Sequence, residues 1–241
     1  MAWDTVLMYA REGWMRRLGE ALKGSGFASL TAVYGYRLCE GEGCDPTVGF
    51  ASAAAYAAER LGVPVPELPR HVEHHVRRAV EEALEAYIRS PSSVYAQVVL
   101  DAEALAHMGV LGLVSLRAGE DLGGLLAAMA RAMSFAAASD YVLYTATAKR
   151  LARTLKPHTL AAAKWLCEEL GSLGFRARPR TETSSGGIVS YIDLERCPCG
   201  EAVKSIYVKP QRECILYRVE YSCCGRSLGF ELCTPESTRM K

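Results

Sequence analysis

The sequence predicts a mainly α protein that ends in a small antiparallel β module. Three observations carry that expectation. Apolar residues recur at helical spacing over most of the first 175 positions, which are rich in alanine. Alanine then nearly vanishes near Gly171. Beyond Gly187, short β-branched and aromatic runs alternate with Cys-Gly and proline turns. A domain boundary is therefore expected near residue 175, with residues 1–175 helical and residues 176–241 a cysteine-rich β domain.

The elements follow in order. Trp3, Leu7, Trp14, Leu18 and Leu22 line one face of an amphipathic helix over residues 3–22. The glycine-rich segment Lys23–Pro46, which holds Cys39 and Cys44, reads as a loop or irregular hairpin, and the two cysteines have the option of a disulfide of their own. An alanine-rich helix over 48–61 stops at Gly62, and Pro64, Pro66 and Pro69 keep the chain non-helical until Arg70. Val72, Val76, Leu84 and Tyr87 then mark a helix over 70–88. Ser90-Pro91-Ser92-Ser93 is a turn and N-cap for a helix over 93–108. Two more helices are expected at 120–144 and 145–173, the second kinked or split at Pro157. Arg176 to Thr183 reads as a polar linker. Strands are expected at 188–192, 205–208, 214–221 and 228–233.

Composition narrows the classes of function. A net charge of +1 gives no basic field of the kind that nucleic acid demands. The apolar region Leu122–Tyr144 is interrupted by Arg131 and Asp140, and a buried helix is expected there rather than a membrane span. Met1-Ala2-Trp3-Asp4 is not a basic start followed by an apolar run, so a cytoplasmic location without membrane contact is expected. The chain has no asparagine and only two glutamines, Gln97 and Gln211, a thermophile tendency. Thermophile cytoplasm tolerates disulfides, so the nine cysteines admit both metal and disulfide readings.

The run Pro91-Ser-Ser-Val-Tyr-Ala-Gln-Val-Val-Leu-Asp101-Ala-Glu103-Ala-Leu-Ala-His107-Met-Gly109-Val-Leu-Gly112 resembles the late motif of HD-superfamily phosphohydrolases. Tyr144-Thr-Ala-Thr-Ala-Lys-Arg-Leu-Ala-Arg is similar to the terminal helix of the same family, and the resemblance covers residues 48–172. It implies a helical fold around one or two divalent ions that activate water against a phosphate ester. The pattern is degenerate here. Thr47-Val48-Gly49-Phe50 stands where the first histidine is expected, the helix of the His-Asp pair is missing, and Glu103 replaces the late aspartate. A rebuilt site is conceivable from His71, His74 and His75, at i, i+3 and i+4 on one helix side, with Asp101 or Glu103 from the next helix.

Cys197-Pro-Cys199-Gly200 and Cys223-Cys224-Gly225 resemble the two knuckles of a zinc ribbon, each shortened by one residue. Four thiolates fit one tetrahedral zinc, with Cys214 or Cys233 as substitute ligands; disulfides and free thiols remain the other readings. Residues 176–241 carry eleven basic and eight acidic side chains. Tyr207, Tyr217, Tyr221, Arg212, Arg218 and Arg226 are candidates for a nucleic-acid surface, against the alternative of core and cross-strand packing. Three functions are thus expected: a binding or scaffolding protein with a zinc-ribbon-like module, a metal-dependent phosphohydrolase acting on a nucleotide or nucleic acid, or a binder of nucleic acid or protein through the C-terminal domain.

Overall fold

The computed structural model of the chain describes residues 13–86, 89–115, 121–184, 187–210, 214–223 and 225–235. Among them the protein is mainly α and closes with two three-stranded antiparallel sheets, as the sequence predicts. The helices are α1 (Gly13–Ala21), a 3-10 turn (Leu22–Gly24), α2 (Gly26–Glu42), α3 (Pro46–Leu61), α4 (Arg70–Leu84), α5 (Val94–His107), α6 (Gly109–Ser115), α7 (Leu122–Val142) and α8 (Ala146–Ser172). The strands are β1 (Arg176–Ser184), β2 (Gly187–Cys197), β3 (Gly200–Glu201), β4 (Val203–Pro210), β5 (Cys214–Cys223) and β6 (Arg226–Pro235). The first half of the expected N-terminal helix lies outside the described residues.

Two compact units form. One holds Met1–Ala106 and Leu143–Leu151, the other His107–Val142 and Ala152–Lys241. The composition break near residue 175 marks where helix gives way to strand, whereas the second unit contains both sheets together with α6, α7 and most of α8.

In the first unit the segment expected to be a loop is the helix α2. Ser25 caps its start by accepting from the Ala28 amide, and Gly43, at φ 72°, ends it in the left-handed conformation. The glycines inside α2 serve packing instead of turning. A Cβ at Gly35 would stand 2.5 Å from both Ala53 Cβ and the Gly49 carbonyl oxygen, and one at Gly49 would stand 2.6 Å from the Gly35 oxygen. α2 and α3 therefore touch backbone to backbone. Cys39 and Cys44 join across the corner between them in a disulfide, with Cα atoms 4.7 Å apart. α3 starts on an Asp45 cap with Pro46 at its first position and stops at Gly62, φ 66°. Its Phe50, Tyr56 and alanines are buried.

α4 is amphipathic: Val72, Val76, Ala79, Val80 and Ala83 face inward, while His71, His74, His75 and Arg77 are exposed. Glu82 is the exception on its inner side. Its carboxylate accepts from the backbone amides of Ser92 (3.0 Å) and Ser93 (2.8 Å), the Ser92 hydroxyl and Arg78. It thereby serves the unsatisfied amides at the start of α5, where Ser93 Oγ also accepts from Ala96 N. The Ser93 amide above all, with Arg78 and Ser92, lowers the Glu82 pKa from 4.5 to about 2, although burial opposes them. A depressed folded pKa gives stability that is complete above the unfolded value and is lost as pH falls through the folded one. We expect about 3 kcal/mol to disappear between pH 4.5 and 2. In Glu82→Gln that part of the acid limb should be missing, which urea titrations at stepped pH will read.

In the second unit, α7 is long and apolar enough by length and composition to cross a membrane, and 61% of its most apolar window is buried. What buries it is the sheet region. Leu126, Met129 and Met133 share one core with Ile192 and Leu194 of β2, Tyr217, Val219 and Tyr221 of β5, and Phe230 of β6. Ser134 Oγ accepts from the Ser190 amide at 2.8 Å, tying α7 to β2 through a polar contact inside that core. A Cβ at Gly123 would stand 2.9 Å from the Gly229 carbonyl oxygen, so a bare glycine lets the start of α7 approach β6. α8 is one continuous helix across Pro157, so the expected split does not occur.

Sheet order is β1-β2-β3 and β4-β5-β6. The expected linker from Arg176 is strand β1, paired antiparallel with β2 from Arg176↔Arg196 to Ser184↔Gly187. It is polar because it is an edge: Arg176 and Arg178 pair with Glu195, and Arg180 with Asp193.

Candidate metal centre

The histidine–carboxylate set does not converge. Among the described residues, no group of three or more His, Cys, Asp and Glu side chains is placed to hold an ion. His71, His74 and His75 do share one side of α4, but its valines occupy the inner side and leave the imidazoles in the exposed arc. The His75 ring lies 5.8 Å from those of His74 and Tyr95.

Asp101 and Glu103, two positions apart on α5, point in different directions, about 200° around the helix. Asp101 is completely buried. Its two oxygens accept from the backbone amides of Tyr144 and Thr145, each at 2.8 Å, immediately before α8. The other open amides of that helix start are served by Glu42, which accepts from Thr147 N at 2.7 Å, and by Thr145 Oγ1, which accepts from Ala148 N. Burial raises the Asp101 pKa to about 6, and the two amides and the Lys149 charge pull it back only in part. Glu103 accepts from the Tyr56 hydroxyl at 3.0 Å and faces Arg60 at 3.6 Å, while Arg60 donates to the same hydroxyl. Burial, then the Glu103 charge, pushes the Tyr56 phenol above its usual value. Both carboxylates are thus committed to helix start and helix packing. Glu42, Tyr56 and Arg60 went unseen in the sequence because Thr147 and Glu103, the groups they meet, are reached only through tertiary contact.

The cysteines are distributed by strand register. Cys197 ends β2 and is buried, Cys199 is exposed in the following turn, and their sulfurs lie 2.9 Å apart. Two thiolates on one tetrahedral zinc sit about 3.8 Å apart, from Zn–S bonds of about 2.3 Å. A small side-chain rotation of the exposed Cys199 covers that difference. The backbone of Cys223 follows Ser222, which pairs with Val203. Ala202, just before that pair, is three residues from Cys199, at most about 10 Å along the chain, so Cys199 and the backbone of Cys223 both lie towards that end of the β4–β5 ladder. Cys224 lies outside the described residues, as do the side chains of Cys214, Cys223 and Cys233.

Register also removes the expected substitutes. Cys214 pairs with Pro235 and Cys233 with Leu216, at the far end of the β5–β6 ladder. Cys214 and Cys223 are the two ends of the ten-residue β5, about 30 Å apart at the rise of an extended strand. Neither Cys214 nor Cys233 can share an ion with Cys223.

The aromatic set divides as well. Tyr217 and Tyr221 are buried, whereas Tyr207 is exposed. The Tyr191 and Tyr217 hydroxyls donate to the two oxygens of Glu182 at 2.6 and 2.9 Å. Asp193 is held by Lys204 at 2.7 Å and Arg180 at 3.2 Å, and the Lys204 ammonium sits 5.3 Å from the Tyr191 ring centroid. Burial first, then the Glu182 hydrogen bond and charge, keeps both phenols protonated. Arg218 is engaged by Glu231 and Glu220, and Arg212 lies outside the described residues. Tyr217, Tyr221 and Arg218 are therefore core or ion-pair residues, whereas Tyr207 and Arg226 are exposed.

Comparison with protein-family models, curated proteins and solved structures gives no match.

Proposed function

We propose that this chain is a binding or scaffolding protein without hydrolytic activity, in which Cys197, Cys199, Cys223 and Cys224 hold a structural zinc ion. The observation that carries the first half is the fate of Asp101. Asp101, the acid two positions before the family's late metal position, has both oxygens taken by the start of α8; Glu103, at that position, is held by Tyr56 and Arg60; and the three histidines of α4 are exposed. The second half is supported by the strand register, which sets the backbone of Cys223 at the β5 end beside Val203 and Cys214 at the opposite end. When bound, zinc supplies folding energy to a β region with a small core of its own.

Element-resolved mass spectrometry of protein purified without chelator tests the proposal. One zinc per chain is expected in the parent, in His75→Ala and in Glu103→Ala, and none in Cys197→Ser/Cys199→Ser. Metal-dependent phosphate-ester hydrolysis by the parent that vanishes in His75→Ala or Glu103→Ala would overturn the non-catalytic reading.

A further inference from the structure

Edge strands of this protein are treated unequally. β1 is guarded: Arg176, Arg178 and Arg180 are exposed along it, and Pro179 interrupts its donors. β3 is only two residues long. β4 spans Val203–Pro210 at the edge of its sheet and carries an exposed cation and a proline only at its end, Lys209 and Pro210. Val203, Tyr207 and Val208 are 67%, 55% and 58% exposed, and Ile206 is 36% exposed. Lys204, which would otherwise guard this edge, is turned inward onto Asp193. A long apolar edge with open backbone donors and acceptors is a template for another strand.

We infer that β4 pairs antiparallel with β4 of a second copy of this chain, joining the two β4-β5-β6 sheets into one six-stranded sheet. The strand is complementary to itself. A two-fold axis normal to the sheet keeps inward residues inward only if it passes through a residue position. Ile206 is the midpoint of Val203–Lys209, the stretch before Pro210, which has no amide hydrogen to donate. In that register Ile206 meets its own copy, Tyr207 meets Ser205, Val208 meets Lys204 and Val203 meets Lys209. Apolar groups take the centre, and the two exposed Lys209 side chains are held at opposite ends, about 20 Å apart. No like charges stand opposed. A closed two-fold contact of this kind also uses up the edge, leaving nothing for a growing fibre.

The inference is independent of the zinc proposal. Sedimentation of the full chain should give twice its 26.2 kDa mass, and Ile206→Lys/Val208→Lys should give the single-chain mass with an unchanged thermal melt. A parent that sediments as a single chain, or a dimer untouched by the double substitution, overturns it. Should the double variant fail to fold, single cysteines decide. Mild oxidation should link two chains of Ile206→Cys beyond whatever the exposed Cys199 gives in the parent, since directly opposed strand residues lie within disulfide reach, and should link Lys209→Cys no more than the parent. Equal linkage at 206 and 209 overturns the register and with it the pairing.

Discussion

Replacing Gly35 with alanine is expected to destabilise the first unit by about 2–4 kcal/mol, even though alanine is the better helix former by about 1 kcal/mol. The added methyl would stand 2.5 Å from the Gly49 carbonyl oxygen and from Ala53 Cβ. Neither obstacle is the flexible end of a side chain, so α2 and α3 must separate. Separation also strains the Cys39–Cys44 connection at their corner. Gly171→Ala is the matched control, because nothing lies within 4 Å of the site and its φ is not left-handed. That change should be neutral or stabilising by up to about 1 kcal/mol. Chemical-denaturant midpoints compare the two, and a Gly35→Ala protein as stable as Gly171→Ala would mean that α2 and α3 do not meet through bare backbone.

Asp101→Ala is expected to cost about 2 kcal/mol at neutral pH, because it orphans the Tyr144 and Thr145 amides at a buried helix start. The pH dependence separates this role from a metal-binding one. Burial raises the folded pKa to about 6, above the unfolded value near 3.8. The folded protein therefore binds a proton more readily than the unfolded chain, and the parent gains stability as pH falls from 6 toward 4. The alanine variant lacks that gain, so the gap between the two should widen by about 1 kcal/mol between pH 7 and pH 5. The acid loss assigned to Glu82 begins lower, near pH 4.5, and does not enter this window. Zinc content should be the same in both proteins. A variant of parental stability that has lost metal would place Asp101 in a metal site.

Legibility followed the range of the interaction that decides each element. Helix boundaries set by a cap or a following glycine could be read locally: Ser93 at α5 and Gly62 at the end of α3. The amphipathic arc of α4 and the alternating strands β2, β4, β5 and β6 were equally readable, because one buried face writes its period into the chain. α2 was not, since a glycine that admits a neighbouring helix is spelled the same way as a glycine that breaks one, and only Gly49 on the facing helix distinguishes them. Nor was β1, an edge strand whose arginines show no apolar alternation.

The candidate site divides along the same line. The cysteine knuckles and the histidine spacing are properties of the sequence alone, and so is the mainly α class with its β ending. Which carboxylate is free to bind was settled by a contact 43 residues away, between Asp101 and the start of α8. Strand register, Val203 against Ser222 and Cys214 against Pro235, puts the backbones of Cys214 and Cys223 at opposite ends of β5. Sequence spacing determines what one helix or turn can present; burial and backbone hydrogen bonding, acting between distant segments, determine what is left available to present it to.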